Sequence, residues 1–455
     1  MPEFSSQNIK HLLNRTLFGF SKEDYFMASA EGSISSLVKK LLQDKSIPEA
    51  PNSWVSTTPA QIQQDNGSAS TWYKEFTIWW NQLMFKESLS IREKMVLFLH
   101  NHFSNERDKV NYPQYMYQQN QLLRKFALGN FKQLAKEICT DPSMLIYLDG
   151  NNSRGPQPNE NFARELFELF TLGIGNYSET DIKQAAKAVS GWQVKGLESV
   201  FDSTRWYKET TLTIFGKTAQ FTVNSLIDLV FEQKATAEFI CRKLYKEFVY
   251  YKPNEAFVQE MATVFKVNNF ELKPLLEFLL TSEEFYKASY QGSKIKNPQE
   301  LIIGTCKLLE LPKPDANNWY EMAIILQMQL FNPPNVAGWP GQRNWISSTT
   351  YSFRGGFTDS LINGKRYNGA AVTGKLDTLP YIRTFLNAEK VDLLVEDYFF
   401  YAFPIPLSKT RKDQLLQTIL SGTIVSNWTT YIAMADTRVN SFLKALMRLP
   451  EFQLC

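Results

Sequence analysis

Apolar residues recur at helical spacing along most of the chain. From Gln7 to Phe18, the residues Ile9, Leu12, Leu13 and Leu17 share one face, and Ser33 to Leu42 repeats the pattern over a shorter span. A stretch rich in Pro, Ser, Thr and Gln, about Ser46 to Ser70, reads as a linker. After it, Trp72, Phe76, Trp79, Trp80 and Leu83 return at helical spacing and read as aromatic core. Ser90-Ile91-Arg92-Glu93 predicts a capping box that opens a helix running towards His100, the Ser hydroxyl taking the third amide and Glu93 reaching back. Asp141-Pro142 predicts another start, with Asp as N-cap and Pro at the first helical position. Ser178 to Val189 reads as an amphipathic helix ending at Gly191-Trp192.

Two segments depart from this pattern. Arg205 to Thr222 alternates β-favouring residues around Gly216 and predicts a small hairpin. Phe331 to Thr350, FNPPNVAGWPGQRNWISSTT, is too rich in Pro and Gly for a helix and predicts an ordered loop or lid. Helical signals fill Val223 to Leu309 and resume near Thr378. The expected fold class is therefore all-α, a multi-helix body with one β-hairpin insertion. The expected organisation is a main domain over residues 1–360, carrying the insertion (200–222), and a helical part over 361–455 packed on the same body.

Composition narrows the function classes. The 455 residues are 44% apolar and 21% charged, an ordinary globular balance with room for a large core. The 33 Phe, 20 Tyr and 10 Trp are plentiful, and their usual role is packing between helices. A net charge of +3 without a basic run points away from nucleic acid. No run is apolar enough for a membrane span, and the N-terminus lacks a basic-then-apolar leader pattern, so a cytoplasmic location is expected. Cys139, Cys241, Cys306 and Cys455 are widely separated and predict buried thiols.

The chemistry-bearing residues concentrate between positions 100 and 173. Two of the three histidines stand in His100-Asn101-His102-Phe103. On a continuous helix their rings diverge by about 200°, whereas a helix ending near Asn101 lets both face one way, as metal-binding pairs do. Downstream, Phe162, Ala163, Leu166, Phe167, Leu169 and Phe170 form one side of an acidic helix, with Glu160, Asn161, Arg164, Glu165, Glu168 and Thr171 on the other. Glu160, Arg164 and Glu168 have the spacing of a surface ion-pair ladder; Asn161, Glu165 and Glu168 also project within about 60° of one another, as ligands or an acid–base pair would. Asp149, Asn151, Ser153 and Glu160 fall at the oxygen-ligand positions of a calcium loop, although Arg154 occupies the place of its obligatory glycine; the other reading is a polar turn capping the helix through Asn159. Trp339, Arg343 and Trp345 could wall a cleft, and with Asn161 and Trp192 they are the candidate substrate-binding residues.

Taken in order, HLLNRTLFGFS, HNHFS, DPSMLIYLDG, PNENFARELFELFTLGIGNYSETDIKQAAKAVSGW, ATAEFICRKLYKEFV, FNPPNVAGWPGQRNWISSTT and the closing LPEFQ resemble the bacterial domain-of-unknown-function family 1800. The resemblance implies a mostly helical protein and no established activity. It also implies a sulfatase-like partner protein, and export in many members. Where the family usually has a His-Asp pair before the hairpin, this chain has Arg205-Trp206-Tyr207. The leading expectation is an enzyme-like pocket, with His100, His102, Arg164, Glu165 and Glu168 as ligands or acid–base groups and a divalent metal as the implied cofactor. The alternative is a non-catalytic binding or assembly protein in which the same polar residues form a structural network.

Overall fold

Short polar side chains at the N-caps set where most helices begin. In the computed structural model, which describes residues 2–62 and 68–455, Ser5, Ser33, Asn130, Asp141 and Asn254 each accept a hydrogen bond from a first-turn amide. Ser178, Thr222, Asn297 and Ser347 form reciprocal capping boxes. The architecture is all-α, with two small antiparallel hairpins. No helix among the described residues is long and apolar enough to cross a membrane.

The expected hairpin is present: Leu212–Ile214 pairs with Lys217–Ala219 across Phe215 and Gly216. Both turn residues have positive φ, 47° and 75°, as a two-residue turn that matches strand twist requires. A second hairpin, Trp192–Lys195 with Glu198–Phe201, was not legible, because its strands are short and mostly half-buried or exposed, without sustained alternation. All four cysteines are free and buried.

The capping box expected at Ser90 does not form. The Arg92–His102 helix takes Ile91 as its N-cap with no side-chain bond. Glu93 turns inward instead, receiving two bonds from the Arg124 guanidinium (2.9 and 2.8 Å) and one from Trp80 Nε1 (2.8 Å). Burial of a carboxylate demands such saturation, and that demand outweighs a cap. This clamp fixes the Arg92–His102 helix between Ser68–Lys86, which carries Trp80, and Pro113–Lys125, which carries Arg124. The Pro- and Gly-rich segment lies over its C-terminal end as a loop with one short 3₁₀ turn, Gln342–Trp345, before helix resumes at Ser348.

Candidate functional site

The Arg92–His102 helix is continuous through both histidines, so their rings diverge as helical geometry requires. His100 is buried among Trp80, Phe331 and Trp339, with ring centroids 5.3–5.7 Å away. Its Nε2 accepts from the Phe331 amide at 3.3 Å, and burial pulls its pKa down to about 3, which keeps the imidazole neutral. His102 turns the other way. Its Nδ1 lies 3.0 Å from Lys243 Nζ and its Nε2 2.9 Å from the Phe170 carbonyl. A lysine ammonium only donates, so Nδ1 accepts and Nε2 carries the proton to Phe170. Burial and then the Lys243 charge hold this imidazole far below its usual pKa.

The acceptor for His102 exists because the acidic helix changes its winding. Glu160–Glu165 is α-helical, but Leu166–Thr171 widens into a π-helical turn. Its last carbonyls, like those of any helix end, lack intrahelical partners. Phe170 O takes the His102 proton and Leu169 O takes Lys243 Nζ at 3.1 Å, setting a cation against the negative end of the helix dipole.

Between His100 and His102, Asn101 grips the loop. Its carboxamide accepts from the Trp339 amide (2.7 Å) and donates to the Trp339 carbonyl (3.4 Å). Ser104 Oγ donates to the carbonyls of Val336 and Asn335. Held in this way, the loop closes one side of a cavity of about 450 Å³. Asn101, His102 and Lys94 form its wall on one helix, Lys243, Lys246 and Glu247 on the Lys234–Phe248 helix, and Lys294, Trp339, Gln342 and Trp345 close the rest.

Four lysines therefore face one small space. Two of them are neutralised from behind. Lys94 and Lys294 (3.1 Å) both donate to buried Glu300, and Lys294 also reaches Glu247 at 2.7 Å. Burial would lift the Glu300 pKa, but the two ammonium groups outweigh it and hold the carboxylate down at about 2. Burial would likewise depress Lys294, and Glu247 and Glu300 overcome it, so its pKa is raised. Lys243 and Lys246 have no carboxylate within ion-pair distance among the described residues. Burial, and then Lys246, lower Lys243 to about 8.

A family profile described as "Protein of unknown function (DUF1800)" matches residues 11–454. The chain belongs to that family. The match spans every cleft residue of this DUF1800 chain, from Lys94 to Trp345. No curated protein and no solved structure matches it.

Of the residues expected to form the DUF1800 site, the structure gathers some and scatters others. His102, Trp339 and Trp345 line the cleft, and Arg343 is exposed on the turn between Gln342 and Trp345. Trp192 lies elsewhere, lining a cavity of about 420 Å³ with Phe201 and Trp206. Trp206 packs on Phe201 and Tyr207.

The acidic flank does not meet the histidines. Arg164 binds Glu179 through two 2.7 Å bonds and stands 3.9 Å from Glu160. Glu168 accepts from Tyr177 Oη at 2.8 Å, Asn161 is exposed, and Glu165 is half-buried, its pKa raised by burial and then by Glu168. None of them lines the cleft.

The calcium-type loop is not assembled either. Asp149 pairs with Lys109 (2.8 Å), Asn151 Oδ1 accepts from the Val194 amide (2.7 Å), and Ser153 Oγ accepts from the Asn159 amide (3.0 Å). Asn159 caps the helix, as the polar-turn reading had it. Among the described residues no three His, Cys, Asp or Glu side chains are grouped as metal ligands. Sequence reasoning missed the lysines, which come from three separate segments; the i, i+3 pair Lys243 and Lys246 in RKLYKEF was the one local signal.

Proposed function

We propose that this protein binds a small anionic ligand, of the carboxylate, phosphate or sulfate class, in the cleft between the Arg92–His102 helix, the Lys234–Phe248 helix and the 331–345 loop. One observation carries the reading: four lysines line the cavity, and two of them, Lys243 and Lys246, lack an acidic partner among the described residues. A cation pair beside low-dielectric walls concentrates anions, and ammonium groups bind oxyanions through charge-assisted hydrogen bonds. Asn101 and Gln342 add uncharged donors, and Trp339 and Trp345 supply apolar wall. A volume of about 450 Å³ falls in the size range of small-molecule sites. Ligand binding thus replaces metal chemistry at His100, His102, Glu165 and Glu168 as the role of the region.

Calorimetric titration with phosphate, sulfate and citrate tests this. Binding should weaken with added salt, and Lys246→Met should reduce affinity about tenfold, equivalent to about 1.4 kcal/mol. Equal affinity in wild type and Lys246→Met, or no binding by any of the three anions, would overturn it.

A further inference from the structure

Lys243 differs in kind from the other cleft cations. Lys94 and Lys294 each touch a carboxylate. Lys246 is exposed at the surface. Lys243 alone is held by two neutral acceptors, His102 Nδ1 at 3.0 Å and Leu169 O at 3.1 Å, and it lines the cleft proposed above to take an anion. We infer that Lys243 is an amine nucleophile that forms an imine with the carbonyl carbon of an anionic aldehyde or 2-oxo acid, whose anionic group pairs with Lys246. The inference rests on the anion-binding reading and names the ligand class within it.

Desolvation and a neighbouring cation are the two devices that free a lysine amine for attack, and both act here. The charged and titratable groups around it reinforce this. On its own helix stand Lys246 and Glu247, the latter bound to Lys294. On the Arg92–His102 helix are His102, kept neutral, and Lys94, bound to Glu300. On the π-helical turn, Glu168 is engaged by Tyr177. No carboxylate therefore holds the proton on Lys243. With its pKa at about 8, its free-amine fraction at pH 7.5 exceeds that of an exposed lysine by on the order of 100-fold.

The step balances without a further reagent. The ammonium releases a proton, and the nitrogen lone pair forms a bond to the carbonyl carbon. The carbonyl π pair moves to oxygen, which takes up a proton. The carbinolamine nitrogen gives up its second proton, the oxygen takes it and leaves as water, and a protonated imine remains. Ammonium and carbonyl have become iminium and water.

Pyridoxal 5′-phosphate, an aldehyde bearing a phosphate, serves as the probe. The wild-type chain is treated with a limiting amount at pH 7.5, reduced with borohydride, and mapped by peptide mass spectrometry. The expected result is one secondary-amine adduct, on Lys243, suppressed by inorganic phosphate, with a rate that rises through pH 8 and levels near pH 9. Labelling of Lys243 no faster than that of exposed Lys234 or Lys409 overturns the inference. Lys243→Arg should lose the adduct. Phosphate binding by wild type without a Lys243 adduct removes the imine and leaves the anion site standing; absence of both removes both.

Discussion

The side chain of Asn101 pairs with the backbone of Trp339 on both sides, taking its amide proton at 2.7 Å and donating to its carbonyl at 3.4 Å. This pairing ties a helix end to a loop 238 residues away, and it explains Gly338. That residue has φ of +82°, and a Cβ there would sit 2.3 Å from Asn101 Oδ1 and 2.5 Å from the Asn101 carbonyl oxygen. Asn101→Ala, which strands both Trp339 groups, should destabilise by about 1–3 kcal/mol in urea unfolding. Gly338→Ala should cost at least as much, from backbone strain plus collision. In a double-mutant cycle the two losses should be less than additive, because Asn101→Ala removes one of the two colliding oxygens.

Glu300 supplies both a helix cap and a charge. It forms a capping box with Asn297 (2.7 and 2.8 Å) while compensating Lys94 and Lys294. Asn297→Ala removes the cap alone and should cost about 1 kcal/mol. Glu300→Gln also leaves two buried ammonium groups facing a neutral amide and should cost about 3–5 kcal/mol. Denaturant unfolding of the two variants side by side measures the difference. Similar losses would mean that the lysines are compensated elsewhere.

The acidic helix should tolerate change on its polar side. Arg164 and Glu179 form an ion pair at the surface, so Arg164→Ala should shift stability by less than about 1 kcal/mol. Glu165→Gln removes a charge that burial and Glu168 already disfavour, so melting temperature should hold or rise slightly. Phosphate binding in the cleft should be unchanged in both variants.

How far the sequence carried can be traced residue by residue. The 3.6-residue periodicity placed the Ser6–Thr16, Ile34–Leu41 and Ser68–Lys86 helices, because amphipathic spacing records burial directly. Two adjacent signals were local and held: Asp141 caps the next helix, and the Phe215-Gly216 turn closes a hairpin. Ser90 and Glu93 failed as a capping box because a partner 31 residues away, Arg124, claimed the carboxylate. The same limit governed the site. His100 and His102 stand out in the sequence, but which groups they meet depends on Phe331, Phe170 and Lys243, which are close to them only in the folded chain. The π-helical turn that exposes the Phe170 carbonyl leaves no mark in an apolar–polar pattern.

The three histidines make stability depend on acid. His11, whose Nε2 donates to the Phe285 carbonyl at 3.0 Å, is pulled down to about 3 by burial and then by Arg15. His100 lies at about 3, and His102 well below its ordinary value, both through burial first. Each ring is neutral when folded and gains a proton when unfolded below about pH 6.5, so each contributes stability that is full above 6.5 and lost as pH falls towards 3. Each adds about 1.4 kcal/mol per pH unit to the slope in that window. Asp141 acts with the opposite sign. Burial lifts it from 3.8 to about 7, so on acidification the folded chain takes up its proton first and gains stability between those values. Glu87 and Glu165, also raised, act in the same direction. Unfolding free energy should therefore fall between pH 6 and 5, the imidazoles outnumbering this opposition at Asp141. Asp141→Asn keeps an oxygen for the Met144 amide while removing the titration. It should steepen that fall by about 1.4 kcal/mol per pH unit, measured by urea unfolding at closely spaced pH. An unchanged slope would place the Asp141 carboxyl in its ordinary range and remove the opposing contribution assigned to it.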